Sequence, residues 1–198
     1  MNLPNAITLS RLILTVVFVV GTRAGHLPGH IVALVAFTIA AASDWLDGYL
    51  ARKLGLVTPL GKLLDPLADK ILVCSAFVFF SSKMPAYCPV WVTSLIIARE
   101  FLVTGLRQIA IEAGQVLAAD SLGKWKTTFQ LTFCITGLVW LTFHDVETPG
   151  TATAFWVELS KPDGWLMQLS LYAALALTVI SGTNYVWNGR HLLKSSGR

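Results

Sequence analysis

The stretch SDWLDGYLARKLGLVTPLGKLLDPLADK, Ser43 to Lys70, carries Asp44, Asp47, Asp65 and Asp69, four of the eleven acidic residues in a chain of 198. Carboxylates at this density either pair with neighbouring cations or hold metal ions, and helical geometry bears on the choice. At about 100° per residue, Asp44, Asp47, Gly48 and Ala51 fall within an arc of about 100° on one helix. Gly61, Asp65 and Asp69 fall within about 80° on the next. The connection KLGLVTP is short enough to make the two helices antiparallel neighbours, so the two acidic stripes can meet.

Four converging carboxylates repel one another and lose hydration, which something positive must offset. Arg52, Lys53, Lys62 and Lys70 lie nearby, and for any single aspartate an ion pair is the simpler reading. For four on two matched faces, with small residues between them, divalent cations fit better. Oxygen-only ligands without His or Cys select hard ions such as Mg²⁺, Mn²⁺ or Ca²⁺. Two such ions can hold a diphosphate for in-line displacement, while a carboxylate facing an acceptor hydroxyl takes its proton. Gly48, Ala51 and Gly61 are then small because a bulkier side chain would close the space where the diphosphate lies. Arg52 pairs either with a donor phosphate or with one of the aspartates.

The helices that must position these residues are apolar. The chain is 55% hydrophobic and 13% charged, with mean hydropathy +0.65, too apolar for a soluble domain of this size. Six segments, roughly Ala6 to Thr22, His30 to Leu54, Leu60 to Ser82, Pro89 to Ala113, Leu122 to His144 and Trp165 to Trp187, are each long enough to cross a bilayer. The expectation is an all-α integral membrane protein with six transmembrane helices in one domain over residues 1–198. The first ten residues, around NLPN, read as a turn or short interfacial helix. No pattern of a cleaved signal peptide stands at the start.

Arg11, Arg52, Lys53, Lys62, Lys70, Arg99, Arg107, Lys124, Lys126, Arg190, Lys194 and Arg198, twelve of the fifteen basic residues, fall on one side of such a bundle. Arg23, Lys83 and Lys161 fall on the other. The basic side is expected to be cytoplasmic, with both termini and the aspartates. It accounts for a pI near 9.1 and suits anionic headgroups and phosphorylated substrates. The basic residues are dispersed among spans without a nucleic-acid-binding motif, so no nucleic acid is expected as a partner.

Asp44-Trp-Leu-Asp47-Gly48-Tyr-Leu-Ala51-Arg52, then eight residues, Gly61, three more, Asp65, three more, and Asp69 resembles the complete signature of the CDP-alcohol phosphotransferase family. The resemblance implies a six-helix membrane enzyme, usually a homodimer, that moves a phosphatidyl or related group from a CDP-linked donor to an alcohol and releases CMP. It implies two divalent cations, Mg²⁺ or Mn²⁺, on Asp44, Asp47 and Asp65, with Asp69 as general base and a further contact to the second ion. It also implies a multi-pass protein of a bacterial cell (inner) membrane. Asn5 and Thr8 contact the nucleotide on this resemblance alone, and helix capping explains Asn5 equally well.

LDPLADK, NLPNAITLSR, IAREFLVTGLR and GKWKT resemble the phosphatidylglycerophosphate synthase branch of that family, whose donor is CDP-diacylglycerol and whose acceptor is sn-glycerol 3-phosphate. Inositol phosphate, serine or phosphatidylglycerol are the alternative acceptors. Arg99 and Arg107, about 80° apart around the fourth segment, can lean into one pocket, where Lys124 and Lys126 add charge for an acceptor phosphate. Either lysine could instead anchor a helix end by snorkelling to headgroups. A cation transporter is the reading from a different class, since acidic stripes also line ion paths. The outer halves HIVALVAFTIAAA and ILVCSAFVFF supply almost no polar groups to continue such a path.

The remaining candidates have structural readings. Cys74, Cys88 and Cys134 read as small apolar residues. His26, His30, His144 and His191 read as helix-end residues hydrated at the interface. Gly105 and Gly137 are expected to permit close helix packing. The loop from Thr148 to Asp163 matches nothing in the family pattern and, with Trp156 and Trp165 nearby, reads as external and interface-hugging.

Overall fold

The computed structural model describes residues 3–54, 59–112, 114–115, 121–144, 146 and 150–195; the side chains of residues 3–7, 44–54, 59–66, 69, 121 and 191–195 lie outside the description. The described residues form seven helices and no strand: α1 (Leu3–Ala24), α2 (Leu27–Leu54), α3 (Pro59–Lys83), α4 (Val90–Glu112), α5 (Ser121–Phe143), α6 (Thr151–Leu159) and α7 (Trp165–Ser195). Six correspond to the six apolar segments. The long helices run from 22 to 31 residues, about 33 to 46 Å at 1.5 Å per residue.

Among the described residues, one stretch, Trp165–Arg190, is long and apolar enough by length and composition to cross a membrane, and Leu27–Ser43 is a shorter apolar run. The expected helices are present, but charge interrupts most of them: Arg99, Glu100 and Arg107 in α4, Lys124 and Lys126 in α5. Among the described residues no separate helix precedes α1, which is continuous from Leu3. Asn5 therefore lies inside the first turn of α1 and not ahead of it. The seventh helix, α6, occupies the loop that matched nothing in the family pattern. Gly150 caps its start in an extended conformation, and Phe155 and Trp156 stand exposed on it.

Helix α1 packs against α2 and α3, α4 against α3 and α7, and α5 against α7, α2 and α3, with α6 beside α5. The core between them is aromatic. Phe77 and Phe133 stack with centroids 5.3 Å apart, Phe80 meets Phe133 edge-on at 5.4 Å, and Phe18 meets Phe37 at 5.5 Å. All five rings are fully buried. Gly137 lets α5 approach this cluster, since a Cβ there would lie 2.6 Å from Phe80 Cε1 and 2.8 Å from Cζ. Gly105 does not do the same: it is exposed, and nothing stands within 4 Å of where its Cβ would be.

The end of α4 turns sharply because Gly114 takes φ +68°. Its N–H donates to the Ile111 carbonyl and that of Gln115 to the Ala110 carbonyl, at 3.0 and 2.8 Å. This six-to-one and five-to-two pair closes the helix and requires a residue without Cβ strain in the left-handed region. Up-and-down connectivity then brings the start of α1, the end of α2, the start of α3, the end of α4, the start of α5 and the end of α7 to one end of the bundle.

Candidate functional site: a cationic cavity beside the acidic helix ends

Helix α4 carries Arg99 and Glu100 into the bundle, about three turns before its end. Glu100 is 5% exposed, far below what an unpaired carboxylate tolerates. Three cations surround it. Lys126 of α5, itself 3% exposed, makes a direct ion pair with Oε1; Arg99 Nη1 stands 3.5 Å from the same oxygen; Lys70 Nζ of α3 stands 3.9 Å from Oε2. Lys126 is thus not snorkelling to headgroups. Its ammonium turns inward to a buried partner.

Helix α7 holds the two arginines in place. Arg99 Nη2 donates to Ser181 Oγ at 2.9 Å, and Arg107 Nη2 donates to Tyr185 Oη at 2.9 Å. The Tyr185 ring lies between both guanidinium groups, with its centroid 5.9 Å from Arg99 Cζ and 5.4 Å from Arg107 Cζ. Ser181 and Tyr185 are four residues apart and share one face of α7. Between them, Gly182 leaves room for the Arg99 stem, whose Cγ would meet an added Cβ at 3.1 Å.

These residues wall a cavity of about 410 Å³, lined among the described residues by Lys70, Arg99, Arg107, Lys124 and Lys126 and by one carboxylate, Glu100. Five cations and one anion leave a positive surplus that would attract a doubly charged ligand. Arg99 Nε is buried and makes no hydrogen bond, so one strong donor in the wall is still to be satisfied. All four residues expected to meet an acceptor phosphate, Arg99, Arg107, Lys124 and Lys126, come together here, with Lys124 exposed at the rim. The sequence reading did not place Tyr185 and Ser181 here, nor Lys70 and Glu100 as part of the cavity. Its only available signal for the first two was a polar pair at helical spacing in an apolar helix.

The acidic group lies next door along the backbone. Asp44 and Asp47, with Gly48, Ala51 and Arg52, are on the last turns of α2; Gly61, Asp65 and Asp69 are on the first turns of α3. The side chains of all these residues, and that of Asn5, lie outside the described residues. Asp69 immediately precedes Lys70, so the backbone that carries the last aspartate also forms the wall of the cationic cavity. Helix α1 packs on both α2 and α3 and presents Thr8, 2% exposed, at the same end. Among the described residues no cluster of His, Cys, Asp or Glu could hold a metal. An oxygen-only set of four aspartates, as the sequence suggests, would suit Mg²⁺ or Mn²⁺.

The three cysteines are free, with Cys88 and Cys134 buried, as small apolar residues are. His30 departs from expectation: at 8% exposure it is buried and not hydrated. His26 is exposed and accepts the Gly29 N–H on Nδ1 at 3.2 Å, capping the start of α2. His191 has its side chain outside the described residues.

The model of the family described as CDP-alcohol phosphatidyltransferase matches residues 1–180. A CDP-diacylglycerol–glycerol-3-phosphate 3-phosphatidyltransferase of Bacillus subtilis (strain 168) is 39% identical over 209 aligned residues, covering 98% of each chain. Proteins of the same name from Yersinia enterocolitica and Haemophilus influenzae are 35% and 37% identical, covering 74% and 70% of this chain and 81% and 76% of their own. With the signature aspartates in place and the match spanning most of its length, the chain belongs to the CDP-alcohol phosphatidyltransferase family.

Proposed function

We propose that this chain transfers the phosphatidyl group of CDP-diacylglycerol to sn-glycerol 3-phosphate, giving phosphatidylglycerophosphate and CMP. The observation that carries the choice of acceptor is the five-cation cavity one residue from Asp69. An acceptor phosphate seated on Arg99, Arg107 and Lys126 places the glycerol hydroxyl toward the acidic helix ends. The names of the relatives point to the same pair of substrates.

In this reading Asp44, Asp47, Asp65 and Asp69 hold two divalent cations, which offset the charge of the donor diphosphate and of the departing CMP. Asp69 takes the proton of the attacking hydroxyl. Gly48, Ala51 and Gly61 leave room for the diphosphate, and Asn5, Thr8 and Arg52 lie on the donor side. The six long helices cross the membrane, with charged residues collected at one end or turned into the cavity. Both termini and the site face the cytoplasm, and the protein works as a homodimer in a bacterial inner membrane. A transport path is disfavoured by the packed rings of Phe18, Phe37, Phe77, Phe80 and Phe133, which fill the bundle beyond the charged end.

Arg99→Gln tests the assignment of the cavity. Loss of a charge-assisted contact worth about 1.5–3 kcal/mol raises KM for sn-glycerol 3-phosphate roughly ten- to a hundredfold, with donor affinity little changed. Weaker binding of CDP-diacylglycerol with the acceptor unaffected would give the cavity to the donor instead.

A further inference from the structure

Arg99 and Arg107 bring the two planar cations of the inner cavity, and α4 alone does not fix where their guanidinium groups stand. Arg107 is exposed. An exposed arginine samples many rotamers, and losing that freedom on binding a ligand costs affinity. Ordering it beforehand removes the cost. Helix α7 supplies the order from one face: Tyr185 Oη accepts from Arg107 Nη2 and Ser181 Oγ accepts from Arg99 Nη2, both at 2.9 Å.

The two acceptors are themselves fixed. Ser181 is fully buried and its hydroxyl donates to the Leu177 carbonyl at 2.5 Å, which turns the lone pairs of Oγ to Arg99. Tyr185 is 6% exposed, and its ring faces both guanidinium groups, with centroid distances of 5.9 and 5.4 Å. Two like charges in one wall repel each other. The electron-rich face of the ring offsets part of that repulsion and, unlike a carboxylate, leaves both charges unspent. A guanidinium is a rigid fork, so holding one Nη of each sets the directions of its remaining N–H groups. Two forks set in this way match the oxygens of a phosphate monoester and find no counterpart in an alcohol that lacks one.

We propose that Tyr185 and Ser181 are positioning residues that select a phosphate monoester as acceptor, Tyr185 acting through Arg107 and Ser181 through Arg99. The inference rests on the reading of this cavity as the acceptor site.

The test combines Tyr185→Phe and Ser181→Ala with the arginine variants in the full-length protein. Both substitutions keep the packed shape and remove one hydrogen-bond acceptor. Steady-state CMP release gives KM for sn-glycerol 3-phosphate, KM for CDP-diacylglycerol and kcat. The shift of the thermal midpoint with sn-glycerol 3-phosphate, measured without donor, gives acceptor binding independently of turnover. Each variant raises KM and the half-saturating acceptor concentration about three- to tenfold, with kcat and donor KM within about twofold of the parent. In an Arg107→Gln background the effect of Tyr185→Phe disappears, and in an Arg99→Gln background that of Ser181→Ala disappears, because each acts through the arginine already lost.

Unchanged acceptor KM in both variants, with Arg99→Gln still raising it, overturns the positioning role and leaves the proposed function standing. The same factor with and without the arginine, or a fall in kcat at unchanged KM, overturns it as well. A parent protein that releases no CMP while its midpoint follows sn-glycerol 3-phosphate in the expected pattern overturns the proposed reaction and supports the positioning role. A parent midpoint indifferent to sn-glycerol 3-phosphate overturns both.

Discussion

Removing the carboxylate of Glu100 should cost more than removing either lysine beside it. Its side chain is 7% exposed and faces Lys126, Arg99 and Lys70 within 4 Å. At an effective dielectric near 20, unit charges about 4 Å apart interact by about 4 kcal/mol, much of which offsets lost hydration. The decisive quantity is therefore what each substitution leaves unbalanced. Lys126→Gln leaves Glu100 with Arg99 and Lys70, and should cost about 1–3 kcal/mol. Glu100→Gln leaves three buried or half-buried cations without their common anion, and should cost about 3–5 kcal/mol. For a chain of this length the second corresponds to a fall in Tm of roughly 6–20 °C, at about 2–4 °C per kcal/mol. Unfolding in detergent, followed by cysteine reactivity or light scattering, measures both. sn-Glycerol 3-phosphate brings back a negative charge, so it should raise the midpoint of Glu100→Gln more than that of the parent. A Lys126→Gln protein less stable than Glu100→Gln, with no larger rescue of the latter, would refute Glu100 as the hub of the cationic wall.

Asp69→Asn should abolish CMP release with donor binding still measurable, while Asp44→Asn or Asp65→Asn should also weaken metal-dependent donor binding; equilibrium binding of CDP-diacylglycerol alongside turnover separates them. Gly137→Val should destabilise by about 1–3 kcal/mol through overpacking against Phe80, whereas Gly105→Ala should be neutral or stabilising by up to about 1 kcal/mol, both read from thermal unfolding. A single cysteine at Asn188 should resist an impermeant thiol reagent in intact cells and one at Thr151 should react, with the opposite pattern reversing the topology.

The long helices were legible because apolar runs of this length, punctuated by Gly, Pro and charge, admit little else. Helix α6 was not, since nine residues of TATAFWVEL carry too short a pattern to be told from a loop. Helix α7 continues to Ser195, beyond the apolar run at Trp187, because polar residues extend a helix once it has begun. In the site, the eight-residue interval between Arg99 and Arg107 was enough to place both on one cavity. Tyr185 and Ser181 were invisible because their partners lie 78 and 82 residues away in sequence. Gly105 was misread for a related reason. A glycine in an apolar helix signals close packing only if its face meets another helix, and helical spacing alone does not say which face does.

The most direct measurement is CMP release by the purified protein with CDP-diacylglycerol, Mg²⁺ or Mn²⁺, and each of a panel of alcohols. sn-Glycerol 3-phosphate should support turnover, dependent on the divalent cation and lost on chelation, with serine, inositol phosphate and phosphatidylglycerol far weaker. Turnover with serine or inositol phosphate and none with sn-glycerol 3-phosphate would contradict the assignment of the acceptor, and no CMP release with any alcohol would contradict the reaction itself.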